Sequence, residues 1–373
     1  MASKQVEKPI GTEHEYSIND QEFNPLPISD RIIMRISGAL HHQVRFGEIE
    51  ISKELQKHVI ELIPARPGSL GILEDKLYKG LKDLYHALNY EYNFLGLGMH
   101  PLLKLDQTTY WDHDEQEYYR AYDKLFNLKQ HGWMNIQALQ INIPYGGKAD
   151  LVNMYNRLRS LIPYVVAVSA SSPFVEGRLT SYADNRLVFY RENQRRMPLI
   201  CNDVLPERIA NIGDYVRINK KIYSELRECG ADVLCREWVN SRGVIVRFTR
   251  KCLEVKAIDE QECLRSDMAI AAFLLALLRS DQELEEDENA LRSLLEQAMM
   301  QGTKKLLPEL RKLYRIACKN ATREEKQYMQ IIEKRIDRGS LAEVMVEQYR
   351  EESSIKPLLS KMAESLKNNT PYF

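Results

Sequence analysis

The segment Pro9-Ile-Gly-Thr-Glu-His-Glu-Tyr-Ser-Ile18 combines a strand-like pattern with two glutamates. It is bounded by turn residues and predicts a β-strand, on which Glu13 and Glu15 are two positions apart. Side chains at this spacing point to the same face of a strand, so the two carboxylates can converge on one cation that prefers oxygen ligands. Acidic pairs are also common on solvated strand faces, so both interpretations stay open for this pair alone.

Three further acidic residues occupy positions flanked by apolar residues. Glu54 and Glu61 are seven residues apart, which on a helix would place them two turns apart on one face. Glu61 follows Val59 and Ile60 directly, and Glu254 interrupts a strand-like apolar pattern. A carboxylate inside an apolar run is paired, bound to metal or at the edge of its element. These acids therefore join Glu13 and Glu15 as candidate metal ligands, with an edge-strand position as the alternative for Glu254.

Apolar periodicity predicts the remaining elements. Helical spacing covers residues 70–88, 115–129, 149–169 and 206–229, the last opened by a proline at its first position. Alternation predicts a strand over 136–143 and a hairpin over 242–258. Every later segment to about residue 366 has a helical pattern, and the acidic stretch 281–289 is typical of a solvated connector. The sequence thus predicts two parts, residues 1–280 and a helical region of residues 281–373.

Composition excludes several classes of protein. The 373 residues are 44% hydrophobic and carry 52 Lys plus Arg against 53 Asp plus Glu, which is typical of a folded protein without a basic field for nucleic acid. The most apolar run, residues 269–278, is far shorter than the roughly 20 residues that span a bilayer. The polar N-terminus lacks a secretory signal, so we expect a cytoplasmic protein. Six cysteines without a Cys-x-x-Cys pair argue against structural zinc.

Several basic residues are candidate anion contacts. Arginine is the usual choice for bidentate contact with carboxylate or phosphate, which draws attention to Arg186, Arg247, Arg250 and the neighbouring Lys256. Neither a P-loop nor a dinucleotide-binding glycine motif occurs in the sequence. Any nucleotide would therefore be held by another arrangement.

Taken in order, these motifs resemble the glutamate–cysteine ligase family, and more specifically its second, carboxylate–amine ligase branch within the glutamine-synthetase-like superfamily. The motifs are Gly11-Thr-Glu13-His-Glu15, Glu54 with Glu61, Gly98-Met-His100-Pro101, Ser171-Ser-Pro173-Phe with Gly177, Thr180, Tyr182 and Arg186, and Leu253-Glu254-Val-Lys-Ala-Ile-Asp259. The resemblance covers about residues 10 to 280 and not the C-terminal helices. It implies an α+β fold, in which helices flank a curved antiparallel sheet shaped as a funnel.

The resemblance also implies roles for individual residues. Metal binding falls on Glu13, Glu15, Glu54, Glu61, Glu254 and Gln140, the last standing where the family often has histidine. Arg186 and Lys256 are the candidate catalytic residues, although the family has arginine at the position of Lys256. We assign Arg247 and Arg250 to the nucleotide. These acids are expected to have low pKa values, since they must be ionised to hold metal at neutral pH.

The implied activity is ATP-dependent and magnesium-dependent amide formation between an amino-acid-like carboxylate and an amine, through an acyl-phosphate. Two alternatives use the same fold: phosphotransfer to a nitrogen acceptor, and nucleotide binding without catalysis, which the changes at Gln140 and Lys256 would favour. The amphipathic C-terminal helices can dock on the rest of the chain or pair between copies, so a homo-oligomer stays open.

Overall fold

A computed structural model describes residues 9–373, so most of the polar N-terminus considered above lies outside the described residues. The strands are β1 (Gly11–Asn19), β2 (Gln43–Phe46), β3 (Ile49–Lys53), β4 (Val59–Pro64), β5 (Asn93–Leu95), β6 (Ala138–Pro144), β7 (Phe174–Val175), β8 (Arg178–Leu179), β9 (Val244–Arg247) and β10 (Cys252–Asp259). Eight of them form one sheet in the order β2-β3-β4-β1-β6-β10-β9, with β5 also pairing with β1, while β7 and β8 form a separate hairpin. The pairings between these strands are antiparallel.

Helices surround this sheet and form the C-terminal part of the chain. They are α1 (Ser29–Ser37), α2 (Leu70–Ala87), α3 (Gln116–Phe126), α4 (His131–Met134), α5 (Lys148–Ser169), α6 (Asn185–Glu192), α7 (Ile212–Glu228), α8 (Leu264–Leu278), α9 (Glu288–Gln301), α10 (Leu307–Asn320), α11 (Met329–Arg338), α12 (Leu341–Glu352) and α13 (Lys356–Asn368). The predicted α+β class, with an antiparallel sheet, flanking helices and a helical C-terminal region, is confirmed.

The two faces of the sheet differ in chemistry because side chains alternate along each strand. One face carries apolar residues such as Tyr16, Leu62, Ile141 and Leu253, which are buried in the main hydrophobic core. Helix α2 packs against β3 and β4, α5 packs against β9 and β10, and both helices contact α8. The opposite face carries the residues that alternate with these along the same strands, and it is the face that holds the acids.

Most sequence predictions of elements agree with the structure, but two are wrong. Glu54 and Glu61 do not share a helix, because β3 ends at Lys53 and Glu61 lies in β4. Residues 59–62 are buried on both faces of the sheet, which removes the alternation that would otherwise mark a strand. The helix predicted from Pro206 begins at Ile212, where Asn211 and Asp214 form a capping box.

The C-terminal helices share a core with the sheet-bearing part of the chain. Helix α9 packs along α5, and α10 and α11 pack against α8. Leu295, Leu310 and Ile332 belong to the same buried cluster as Leu274. The division at residue 281 stays a prediction about chain organisation. Across residues 9–373, none of the helices combines the length and hydropathy that crossing a bilayer requires.

The loop after β5 gives a direct test of this packing. A Cβ added at Gly96 would lie 2.2 Å from the carbonyl oxygen of Gln261 and 3.0 Å from a ring carbon of Tyr16. We expect Gly96→Ala to lower the free energy of unfolding by about 1–3 kcal/mol, because backbone must move to make room. Gly147→Ala is the control, since nothing lies within 4 Å of its added Cβ. Urea unfolding of both variants should separate them, and equal stability would contradict the packing described.

Candidate active site

Strand pairing brings the predicted acids onto one face of the sheet, here called the acid face. Glu15 lies opposite Glu61 of β4, and Glu13 lies opposite Gln140 of β6. One strand further along, β6 pairs with β10. The acid face therefore consists of paired positions across four adjacent strands, with Glu54 added from the connection after β3: Glu13, Glu15, Glu54, Glu61, Gln140, Asn142 and Glu254.

Three carboxylates form the tightest group on the acid face. Oxygens of Glu15, Glu54 and Glu61 lie within 4.8 Å of one another. Two unit charges at that separation repel by about 3 kcal/mol at an effective dielectric constant of about 20. Burial, reinforced by the charge of Glu54, raises the pKa of Glu15 to about 8, and burial raises the pKa of Glu54 to about 7. Burial and the charges of its acidic neighbours also raise the pKa of Glu61 well above its usual range.

The expectation of low pKa values is therefore wrong for these three acids. It holds for Glu13, where burial opposes ionisation but the charge and hydrogen bond of Arg250 outweigh it and lower the pKa. The difference is physical, because Arg250 provides Glu13 with a cation and the trio of Glu15, Glu54 and Glu61 lacks one of comparable effect.

Basic residues from the β9–β10 hairpin lie against the other acids. Arg250 Nη1 lies 2.5 Å from Glu13 Oε1 and 3.8 Å from Glu254 Oε2. Arg247 donates to the same Glu254 carboxylate, and Lys256 Nζ lies 3.5 Å from Glu254 Oε1. The structure thus brings Arg247, Arg250 and Lys256 to the acid face, as a cluster of three cations around two carboxylates.

Two amides on β6 hold the acids of β1 in place. The Gln140 amide donates to Glu15 Oε1 at 3.1 Å, so its carbonyl oxygen remains as a candidate ligand. Asn142, which sequence reasoning did not select, donates to Glu13 Oε1 at 2.9 Å. Its position two residues after Gln140 was the available signal, since residues two apart on a strand share a face.

Arg186 of α6 contacts the end of β10 and is 2% exposed. Its Nε donates to Asp259 at 2.6 Å, and its Nη1 donates to the Lys256 carbonyl at 3.3 Å. Burial would lower the pKa of Arg186, but the charges of Asp259, Asp184 and Glu15 raise it. The guanidinium is therefore held close enough to the acid face to interact electrostatically with Glu15.

The donor set fits a hard divalent cation such as magnesium. The buried carboxylates offer oxygen ligands only, and Gln140 adds a neutral amide oxygen. Because burial raises the pKa of Glu15, Glu54 and Glu61, added positive charge would favour their ionisation at neutral pH. A bound divalent cation would supply that charge.

The fold resembles that of a known ligase. The structure superposes on a glutamate–cysteine ligase from Francisella tularensis, solved in complex with AMP, with a TM-score of 0.70 and 11% identity over 98% of this chain and 89% of that chain. At this identity the likeness establishes the fold.

The sequence assigns the chain to a ligase family. The model of glutamate–cysteine ligase family 2 matches residues 9–360, and the chain belongs to this family. The match corrects the expectation that the resemblance ends near residue 280, because it includes most of the C-terminal helices.

Two relatives illustrate the range of similarity within the curated proteins. An uncharacterized protein of Archaeoglobus fulgidus is 50% identical over 368 residues, which cover 97% of this chain and 100% of that relative. A glutamate–cysteine ligase of Natronomonas pharaonis is 29% identical over 170 residues, or 45% of this chain and 44% of that enzyme. The chain therefore aligns with less than half the length of that named ligase.

The raised pKa values predict how metal affinity depends on pH. Glu15 and Glu54 have higher pKa values in the folded protein than in the unfolded chain, so the protons they bind stabilise the folded state. This contribution is complete below about pH 4.5, the usual pKa of glutamate, and is lost as pH rises towards about 8. Metal binding requires the ionised acids, so magnesium should raise the melting temperature more at about pH 8.5 than at about pH 6. Thermal melts with and without magnesium at constant ionic strength measure this. An equal shift at both pH values would contradict the assignment.

Proposed function

We propose that this chain is an ATP-dependent carboxylate–amine ligase that forms an amide through an acyl-phosphate. The observation that carries the proposal is the trio of carboxylates of Glu15, Glu54 and Glu61, whose oxygens lie within 4.8 Å of one another. Glu15 and Glu61 are buried, and Glu54 is half-buried. Folded proteins rarely bury groups of like charge without a compensating charge or hydrogen bond. Membership of glutamate–cysteine ligase family 2 supports the same reaction class.

The reaction explains why an acid face with adjacent cations is useful. A free carboxylate has a poor leaving group, so its oxygen attacks the γ-phosphorus of ATP and ADP leaves. The amine nitrogen then attacks the acyl carbon, phosphate departs and the nitrogen loses a proton. Magnesium, when bound, neutralises and aligns the triphosphate, which would otherwise repel the incoming carboxylate.

The residues of this chain divide these tasks. Glu13, Glu15, Glu54, Glu61 and Glu254 would hold the metal ions, with the amide oxygen of Gln140 as a further ligand. Arg247 and Arg250 reach the acid face from the exposed end of the β9–β10 hairpin, which suits contact with nucleotide phosphates. Lys256 lies further along β10, and Arg186 of α6 contacts the end of that strand. Both would stabilise charge on the transferred phosphoryl group and the acyl-phosphate oxygens.

An assay of ADP release with magnesium, ATP, glutamate and a panel of amines tests the activity. We expect magnesium-dependent turnover and an amide product detected by mass spectrometry. Glu61→Gln should abolish turnover but keep or raise the melting temperature, because glutamine keeps the volume and removes like-charge repulsion. Glu74→Gln is the control, since Glu74 is a buried acid of α2 that bonds Tyr328 and Asn369.

Other products would redirect the proposal. A stable phosphorylated nitrogen acceptor in place of an amide would favour phosphotransfer. Magnesium-dependent nucleotide binding without turnover by any amine would favour a binding protein. Full activity in Glu61→Gln would remove the carboxylate trio from the mechanism.

Lys256 provides a separate test of the phosphoryl end of the site. Lys256 Nζ lies 3.5 Å from Glu254 Oε1, and the side chain is mostly buried, so contacts within the protein hold the ammonium group in position. We expect Lys256→Ala to lower kcat by about 10²-fold, as for loss of one group that stabilises developing charge. Lys256→Arg keeps the charge and should retain turnover. ADP release at saturating ATP measures both variants, and unchanged turnover in Lys256→Ala would exclude Lys256 from the reaction.

A further inference from the structure

Asp259, at the end of β10, is the centre of a fully buried hydrogen-bond network. Its Oδ1 accepts from Arg186 Nε at 2.6 Å, and its Oδ2 accepts from the Ser171 backbone N–H at 2.9 Å and the Ser172 hydroxyl at 2.8 Å. A Cβ added at Gly98 would lie 2.2 Å from the Asp259 carboxyl carbon. The carboxylate is therefore confined on several sides and cannot change its position without moving backbone.

A β-bulge decides which way Asp259 points. Strands β6 and β10 pair regularly as far as Val255, and the pairing resumes at Ile258 with one extra residue in β10. Because side chains alternate, the extra residue moves Asp259 to the same face as Glu254; a regular strand would turn it towards the helices. Bulges are enriched beside active sites, where they redirect side chains.

The guanidinium that Asp259 holds has a donor to spare. Arg186 Nε and Nη1 are both engaged, while Nη2 is buried and has no hydrogen-bond partner among residues 9–373. An unpaired buried donor is costly, and native structures rarely retain one without a use. Since the guanidinium is planar, fixing two of its nitrogens also fixes the direction of the third.

We propose that Asp259 is a positioning residue, which fixes Arg186 so that its Nη2 donates to an oxygen of the substrate carboxylate or its acyl-phosphate. This rests on the proposed ligase function. Asp259 touches no substrate and acts only through Arg186, whose N–H bonds it aligns and whose charge it balances. Removal of the Asp259 charge should therefore impair the reaction only while Arg186 is present.

A double-mutant cycle tests this dependence. We expect Asp259→Asn, which keeps the shape of the side chain, to lower kcat by about 10-fold to 100-fold, with a smaller change in the KM for magnesium–ATP. In the Arg186→Gln background the same change should cost less than about threefold. Losses that multiply in the double variant would show that Asp259 acts elsewhere and would overturn the proposal.

Glu262 offers a matched control for lost stability. It is buried as completely as Asp259, lies three residues further along and pairs with the buried Arg335 at 2.7 Å, towards the C-terminal helices. Glu262→Gln should lower the melting temperature about as much as Asp259→Asn but change kcat by less than about threefold. A comparable fall in kcat in both variants would mean that Asp259 is merely structural.

A milder variant covers the case in which a substitution prevents folding. Ser172→Ala removes one hydrogen bond to Asp259 and should lower kcat by about threefold to tenfold with the KM for magnesium–ATP unchanged. An unchanged kcat in Ser172→Ala would overturn the proposal. Absence of turnover in the unmodified protein with every amine would contradict the ligase function itself, and the positioning role with it.

Discussion

The crowding of carboxylates on one buried sheet face is the constraint on which the rest of the structure depends. Burial and mutual repulsion oppose the ionisation of Glu15, Glu54 and Glu61, while the pairing of β1 with β4 holds Glu15 beside Glu61. The Gln140 amide donates to Glu15, whereas the cations of the β9–β10 hairpin compensate the neighbouring acids Glu13 and Glu254. The apolar core behind the sheet must supply the stability that the acid face does not, which fits the close packing of α2, α5 and α8 there.

Much of this arrangement follows from local sequence patterns. The strand with Glu13 and Glu15, the helix after residue 69 and the hairpin with Glu254 could be predicted, because each has a period that burial on one side imposes. The five acids and Arg186 could be predicted as site residues because they belong to motifs whose order along the chain resembles that of the family. What brings them together is strand order, and β1 pairs with β4 and β6 across more than 40 and 120 residues of chain. One sequence contains no local signal for such pairing.

The predictions that were wrong also depend on contacts between residues that are distant in the sequence. Residues 59–62 lack the alternation of apolar and polar side chains that marks a strand, because both faces of β4 are covered. The expectation of low pKa values considered each acid's role but not its neighbours, and neighbours decide the protonation of a buried group. Asp259 belongs to a motif of the sequence, but its role could not be predicted because a single sequence does not show the bulge that turns it to the acid face. Asn142 shares a strand face with Gln140, but the sequence does not show which acid it contacts.

The bulge in β10 has a consequence for how sequences of this family can vary. Surface loops tolerate insertions and deletions, since few contacts depend on their length. The number of residues from Glu254 to Asp259 cannot vary in this way. One residue more or fewer would turn Asp259 from the acid face to the opposite face of the sheet, which packs against the helices. Family members that retain the acid face should therefore keep this spacing unchanged, even where the loops on either side differ in length.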